Sequence, residues 1–270
     1  MIESVGVLGC GWLGLPLARA LLADGYTVKG SSTRSERLEV LRSEGIEPYR
    51  LELDATGAQG PIADFLKDLD CLVCNIPPGL RKDPDANYPG RIRQLVGPIR
   101  EAGVGHVIFV SSTSVFGRDQ GEVDEDTLPI PDSKSGRQVL QAEEILRRSD
   151  WQTAVTVVRF GGLIGGSRHP IRQLAGKMGL SGGTDPVNLI HRDDCLRILL
   201  AVIKGGPGEG LIHAVAPEHP SREEYYRREA EKHGLPAPGF APSSGKSNAK
   251  VLKSRSFLIK KTGFKTSLFS

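Results

Sequence analysis

The run VGVLGCGWLGLPLARALL sets Gly9-x-Gly11-x-x-Gly14 between a strand-like apolar segment and a helix-patterned one. That context turns an otherwise weak pattern into a strong one. Gly9 permits a tight turn, Gly11 lets the backbone approach a diphosphate, and Gly14 lets the helix sit close on the strand. The helix N-terminus then offers unpaired N–H groups and a positive dipole end to anionic oxygens. Gly9, Gly11, Trp12, Leu13 and Gly14 are therefore the expected core of a dinucleotide site.

Beyond this turn, short apolar runs alternate with helix-patterned segments. Strands are expected near Val5–Leu8, Thr27–Ser31, Pro48–Leu53, Cys71–Asn75, His106–Ser111, Thr153–Phe160 and Leu211–Ala214. Helices are expected to start near Leu13, Ser35, Pro61, Tyr88, Gly136 and Asp193. Leu13, Leu17 and Leu21 share one helix face. Such alternation predicts an α/β chain: a doubly wound parallel sheet, or Rossmann fold, with a small C-terminal substrate lobe. The Rossmann domain is expected over residues 1–160, completed by about 186–215. Two stretches rich in Gly, Pro and Ser assign 161–185 and 216–270 to the lobe, past the carboxyl ends of the strands where ligands bind.

An NAD site carries an acid about 20 residues past the glycines, whereas an NADP site needs a cation for the 2′-phosphate. Here the second strand runs into Ser31, Ser32, Thr33 and Arg34, with no acid until Glu36. Hydroxyls and a guanidinium suit a phosphate, so NADP is the expected cofactor, with NAD possible. A net charge of +3 welcomes anionic ligands in general. Tail residues such as Lys250, Lys253 and Lys260 read as a solvated helix face, and no motif or aromatic context supports a nucleic-acid surface. No apolar run reaches the roughly 18 residues of a membrane span. No export signal is read at the N-terminus, so a cytoplasmic protein is expected. Cys71 and Cys74 lie three apart on a predicted strand and so point to opposite faces, which favours core packing over a metal or redox role. His191, Asp193 and Asp194 lack metal-ligand geometry, and the aspartates read as helix caps. No metal site is expected.

Further along, VIFVSSTSVFG, IPDSKSGRQVLQAEEIL, VVRFGGLIGG, VNLIHRDDC and a late TGFK follow one another in an order that resembles the extended short-chain dehydrogenase/reductase family, the NAD-dependent epimerase/dehydratases. The resemblance spans almost the entire chain and is close to an atypical branch. It implies a sheet of about seven strands binding NAD(P), a C-terminal substrate lobe, often nucleotide-sugar substrates, and a possible homodimer. It also implies roles for single residues. Ser112 matches the active-site serine that bonds the reacting substrate oxygen, and Asp54 the aspartate that meets the adenine edge. Asn75 ends a strand beneath the cofactor, while Arg168 and His191 face the substrate.

The departures from that pattern matter most. The family's tyrosine falls on Ser135, its lysine on Val139, and its usual first glycine on Leu8. The tyrosine is a general acid whose phenol is tuned by the lysine ammonium, and that lysine also grips the nicotinamide ribose. Losing a positioned acid typically costs about 10²–10⁴-fold in rate. Tyr88, in a loop expected to overhang the nicotinamide side, and His169, on the substrate loop, are candidate substitutes. The leading expectation is an NADP-preferring oxidoreductase acting by hydride transfer on a polar, possibly nucleotide-linked substrate. The alternatives are a non-catalytic NADP-binding redox sensor, and an epimerase or dehydratase that reoxidises its cofactor within each cycle.

Overall fold

A computed structural model of the chain describes residues 2–80, 83–148, 152–242 and 247–268. Seven parallel strands form its main sheet: β1 (Ser4–Leu8), β2 (Thr27–Ser32), β3 (Glu47–Arg50), β4 (Cys71–Cys74), β5 (His106–Ser112), β6 (Ala154–Phe160) and β7 (Leu211–Ala214). Their order is β3-β2-β1-β4-β5-β6-β7. The winding reverses between β1 and β4, and a cleft opens at the carboxyl ends of those two strands, where open α/β sheets bind ligands.

Helices cover both faces, so the central strands are apolar throughout rather than alternating. On one side α1 (Gly14–Ala23), α2 (Ser35–Ser43) and α7 (Arg192–Gly205) pack through Leu17, Leu21, Leu41 and Ile198. On the other side α3 (Ile62–Leu66), α4 (Tyr88–Ala102) and α5 (Lys134–Arg147) contribute Phe65, Ile92, Leu95, Ile99 and Leu146. Cys71 belongs to the first cluster and Cys74 to the second, as their spacing in a strand requires. Burial pushes both thiols up to about 12, which suits packing and not reactivity.

The third strand ends sooner than the sequence suggests. After Arg50 the chain leaves the sheet, and Glu52–Leu53 pairs antiparallel with Ala58–Gln59 as a separate hairpin. Asp54 turns it by accepting from the amides of Thr56 (2.7 Å) and Gly57 (2.9 Å). A smaller apolar cluster lies beyond the sheet, where α6 (Ile171–Leu174) and α8 (Arg222–Lys232) bury Ile171, Tyr225 and Ala230. Among the described residues no helix is long and apolar enough to cross a membrane.

The tail is tied to the sheet domain and not simply solvated. Val251–Leu252 pairs with Glu122–Val123, and α9 (Phe257–Thr262) packs along α7. Asp194, expected as a cap of α7, instead anchors this tail, because His191 takes the cap through its Nδ1. The buried Asp194 carboxylate accepts from the amides of Lys265 (2.9 Å) and Thr266 (3.1 Å), from the Thr266 hydroxyl and from Arg197 (3.0 Å). Desolvation works against the charged form, but these donors together hold the carboxyl below its usual value. Asp194→Ala leaves several donors without an acceptor and is expected to cost about 3 kcal/mol, read as a lower urea midpoint. An unchanged midpoint would show that the anchor is dispensable.

Candidate cofactor and active site

The turn after β1 is built by close backbone contacts. Gly9 has φ 100°, and a Cβ there would meet the Asn75 carbonyl at 2.8 Å. A Cβ on Gly14 would lie 2.2 Å from the Gly9 carbonyl, whereas one on Gly11 would meet nothing within 4 Å. Only the middle glycine therefore faces open space. Two neighbouring strand ends brace the turn. Ser31, buried at the end of β2, accepts from the Gly9 amide (3.0 Å), and Asn75 donates its side-chain amide to the Gly9 carbonyl (3.1 Å). The α1 N-terminus has no side-chain cap, and the amides of Trp12, Leu13 and Gly14 meet no acceptor among the described residues. Uncapped amides over an open glycine are what a diphosphate requires.

The loop around Gly165 and the start of α7 meet this turn at Trp12. Gly165 and Gly166, both at positive φ, fold a tight turn whose strand-like bridge joins Gly165 and Arg168. That turn sits on His191, against which Gly165 packs with no room for a Cβ. Consequently the Arg168 guanidinium lies 5.2 Å from the centre of the Trp12 ring, and Arg192, at the start of α7, lies 5.4 Å from it. Trp12 Nε1 and Arg192 Nε are both buried and have no hydrogen-bond acceptor among the described residues. Unpaired donors beside the phosphate turn fit an anionic cofactor.

At the end of β2, Ser32 accepts from the Arg34 amide (3.1 Å), and the Arg34 side chain is exposed, 3.8 Å from Glu36. Nothing buried competes for that guanidinium. Thr33 is likewise exposed. Asp54 is engaged in its own hairpin turn, also accepting from the Thr56 hydroxyl (2.6 Å) and Gln59 (3.2 Å). These donors hold its carboxyl down at about 2.

A sequence model of the family described as NAD(P)H-binding matches residues 9–204. The chain belongs to the NAD(P)H-binding family. It is 34% identical to Protein YeeZ of Escherichia coli (strain K12), over 93% of this chain and 91% of that protein. Its fold is shared by MoeE5, solved in complex with UDP-glucose and NAD, with a TM-score of 0.75 and 23% identity over 98% of this chain and 93% of that one. The UDP-glucuronic acid 4-epimerase of Bacillus cereus, solved in complex with NAD, gives a TM-score of 0.77 at 20% identity, over 98% of this chain and 93% of that one. The shared fold thus extends over nearly the whole chain.

Within this NAD(P)H-binding fold the region of the missing pair is plainly altered. Val139 is buried in the core beneath α5, and Ser135 is half-buried. Ser112 ends β5, where its hydroxyl oxygen accepts from the Ser114 amide (3.1 Å) and its own proton is left to donate. Tyr88 does not overhang the cleft. Its ring stacks on Phe109 and its hydroxyl donates to the Ile76 carbonyl (3.0 Å), with burial raising the phenol well above its ordinary value. Its work is to pin the loop after β4. His169 is also turned inward: Nε2 meets the Tyr225 hydroxyl (3.0 Å), and Nδ1 accepts from the Ile171 amide (3.2 Å).

The motif pattern does not reveal a cleft of about 330 Å³ beside the start of α5. Ser114, Ser133, Arg118, Asp185, Arg222 and Lys250 contribute to its wall. Arg118 pairs with Asp185 at 2.7 Å. Lys250, expected in solvent, instead donates to the Thr113 carbonyl (3.0 Å) and to the Phe116 carbonyl, and burial lowers its ammonium from the ordinary lysine value. Two carbonyls leave its third N–H unspent. Only its isolation among the tail lysines, next to the VL strand, could have marked it.

Burial, with His233 and nearby cations, pulls the His169 imidazole down to about 4. The unfolded chain therefore binds a proton near pH 6.5 that the folded one refuses until about pH 4, so this contribution is complete above pH 6.5 and lost as the pH falls. From pH 7 to pH 5 this group is expected to remove about 2 kcal/mol, and His169→Gln should flatten that part of a urea-denaturation pH profile. An equal slope in the variant would assign the loss elsewhere.

Proposed function

We propose that the chain is an NADP-preferring oxidoreductase of the epimerase/dehydratase type, transferring hydride to or from a polar, anionic substrate held in the cleft beside Ser114 and Lys250. The observation carrying this reading is the phosphate turn: an open Gly11, uncapped α1 amides and unpaired donors on Trp12 and Arg192. The bound dinucleotide would supply or accept the hydride at its nicotinamide. Ser112, at the end of β5, is assigned to donate a hydrogen bond to the reacting oxygen. Lys250 brings an ammonium to the cleft wall in a region where Val139 offers none. Residues 161–185 and 216–270 are assigned to the substrate lobe. Arg222 of α8 faces the same cleft, which favours a substrate bearing carboxylate or phosphate. The nucleotide-sugar ligands of the fold neighbours support a nucleotide-linked one.

The NADP preference rests on Ser32, Thr33 and the exposed Arg34 at the end of β2. Titration with NADPH, NADH and their oxidised forms tests it. Arg34→Ala is expected to weaken NADPH about 10–100-fold and leave NADH unchanged. Retained NADPH affinity in that variant would remove Arg34 from cofactor choice. Ser112→Ala is expected to slow NADPH consumption about 10²-fold across a panel of nucleotide-linked and small polar carbonyl compounds. Equal rates would exclude it from the chemistry.

A second reading, a redox sensor without turnover, is favoured by two features: the lysine position is filled by a core valine and Tyr88 is locked beneath the loop after β4. It requires tight binding, different affinities for NADPH and NADP, a cofactor-dependent change of oligomer, and no consumption across the same panel.

A further inference from the structure

The cleft beside the start of α5 has a charge pattern more specific than a generally basic wall. Arg118, Arg222 and Lys250 stand on it with Asp132 and Asp185, three cations against two carboxylates, so one positive charge is in excess. Arg118 is already paired: it donates to Asp185 at 2.7 Å, and Asp185 also accepts from the Ser247 hydroxyl at 2.7 Å. Desolvation opposes the charged form, yet these donors hold the Asp185 carboxyl below its usual value. Arg222 and Lys250 differ, because neither has a carboxylate partner among the described residues. Arg222 gives one N–H to the Ser181 carbonyl at 3.0 Å and lies 5.8 Å over the centre of the Phe240 ring, which fixes its plane and leaves most of its fork free. The Lys250 ammonium meets only the carbonyls of Thr113 and Phe116. Ser133 caps α5 by accepting from the Gly136 amide at 3.0 Å, so its own proton is free to donate into the same cleft.

We propose that this cleft selects a substrate bearing a single carboxylate, held by Arg222 and Lys250, and that Asp132 and Asp185 turn away a doubly charged phosphate. The proposal rests on the substrate-cleft reading above and narrows its anion from any carboxylate or phosphate to one charge. A planar carboxylate matches a guanidinium fork with two parallel bonds, and its one charge neutralises the excess. A phosphomonoester carries nearly two charges, more than the wall balances, and brings the second against carboxylates. Asp132 is placed for that exclusion. Its charge acts on the Lys250 ammonium, and its Oδ2 is held by the Arg118 amide at 2.7 Å. Asp185 stands in the same relation to Arg222, whose charge acts on it. Discrimination then comes from repulsion built into the wall as well as from the two cations.

The test is ligand-observed NMR on the full chain at about pH 8, where a phosphomonoester is dianionic, with and without saturating NADPH. Three open-chain six-carbon polyols are compared: uncharged sorbitol, gluconate with its one carboxylate, and sorbitol 6-phosphate. Gluconate is expected to bind about 10-fold more tightly than either of the others. Arg222→Gln should bring gluconate down to the level of sorbitol, and Arg222→Lys, which keeps the charge and loses the fork, should recover only part of the difference. Asp132→Asn, whose amide oxygen still accepts from the Arg118 amide, should tighten sorbitol 6-phosphate about 5-fold and change gluconate less. Circular dichroism and the melting temperature accompany each variant, and where one fails to fold the wild-type ranking of the three polyols decides alone. Sorbitol 6-phosphate bound as tightly as gluconate would overturn the proposal, as would gluconate bound no better than sorbitol or not at all up to about 20 mM. A folded Asp132→Asn chain with no gain for the phosphate would do the same. A chain that takes NADPH and fails with gluconate loses this proposal alone, whereas one that prefers gluconate and takes no NADPH loses the cofactor reading alone.

Discussion

The clasp between β1 and α1 is the constraint on which the rest depends. Because a Cβ on Gly14 would lie 2.2 Å from the Gly9 carbonyl, the helix can start this close to the strand only where the side chain is hydrogen. That closeness aims the uncapped end of α1 into the cleft between β1 and β4. Ser31 and Asn75 then fix the turn from both sides, one through the Gly9 amide and one through its carbonyl. The polar groups of Gly9 and the amides of Cys10 and Gly11 are thereby consumed by the protein, whereas the amides of Trp12, Leu13 and Gly14 meet no acceptor among the described residues. A rigid inner edge with a free outer edge distinguishes a binding turn from a merely tight one.

Much of this was legible before any coordinates, because it is local. The glycine spacing, the alternation of strands and helices and the vacancies at Ser135 and Val139 are read from neighbours in the sequence. The missed features come from pairs far apart in the chain. Arg192 reaches Trp12, Lys250 reaches Thr113, and Asp194 reaches Thr266 only because the fold brings them together. Tyr88 and His169 show the opposite error. Each was a plausible acid by type and by loop, yet a hydroxyl directed at the Ile76 carbonyl and an imidazole with both nitrogens engaged have other work. Residue type suggested a reaction where burial assigned a brace.

Val139 bears on the energetics of the core. A lysine at the Val139 position of α5 would bury an ammonium in the apolar cluster that also holds Val115 and Phe109, where charge is expensive. Valine there stabilises the core. Lys250 brings a positive charge to the wall of the cleft beside α5, while Arg168 and Arg192 stand against Trp12. Lys250 costs less to hold because backbone carbonyls solvate it, and the arginines because an indole face does.

Helix α5 nevertheless keeps a charge, one turn beyond Val139. Glu143 is buried and takes the Ser111 hydroxyl together with the Arg159 guanidinium, at 3.0 Å to one oxygen and 2.7 Å to the other. Arg159 in turn lies against His213 Nε2 at 3.4 Å, and His213 Nδ1 meets the Lys253 carbonyl at 3.2 Å. A carbonyl can only accept and a guanidinium only donate, so the proton sits on Nδ1 and the imidazole is neutral. Burial favours the same state by lowering its pKa. Glu125 completes the chain, accepting from the His213 amide and from Ser254 and Arg255 of the tail. Every charge in this line has a partner, the condition under which buried ions rigidify and do not merely cost. The line runs beneath Ser112, from α5 through β6 and β7 to the tail. The helix that offers no acid at its outer end therefore serves, at its inner end, as one of the supports that fix where the serine stands.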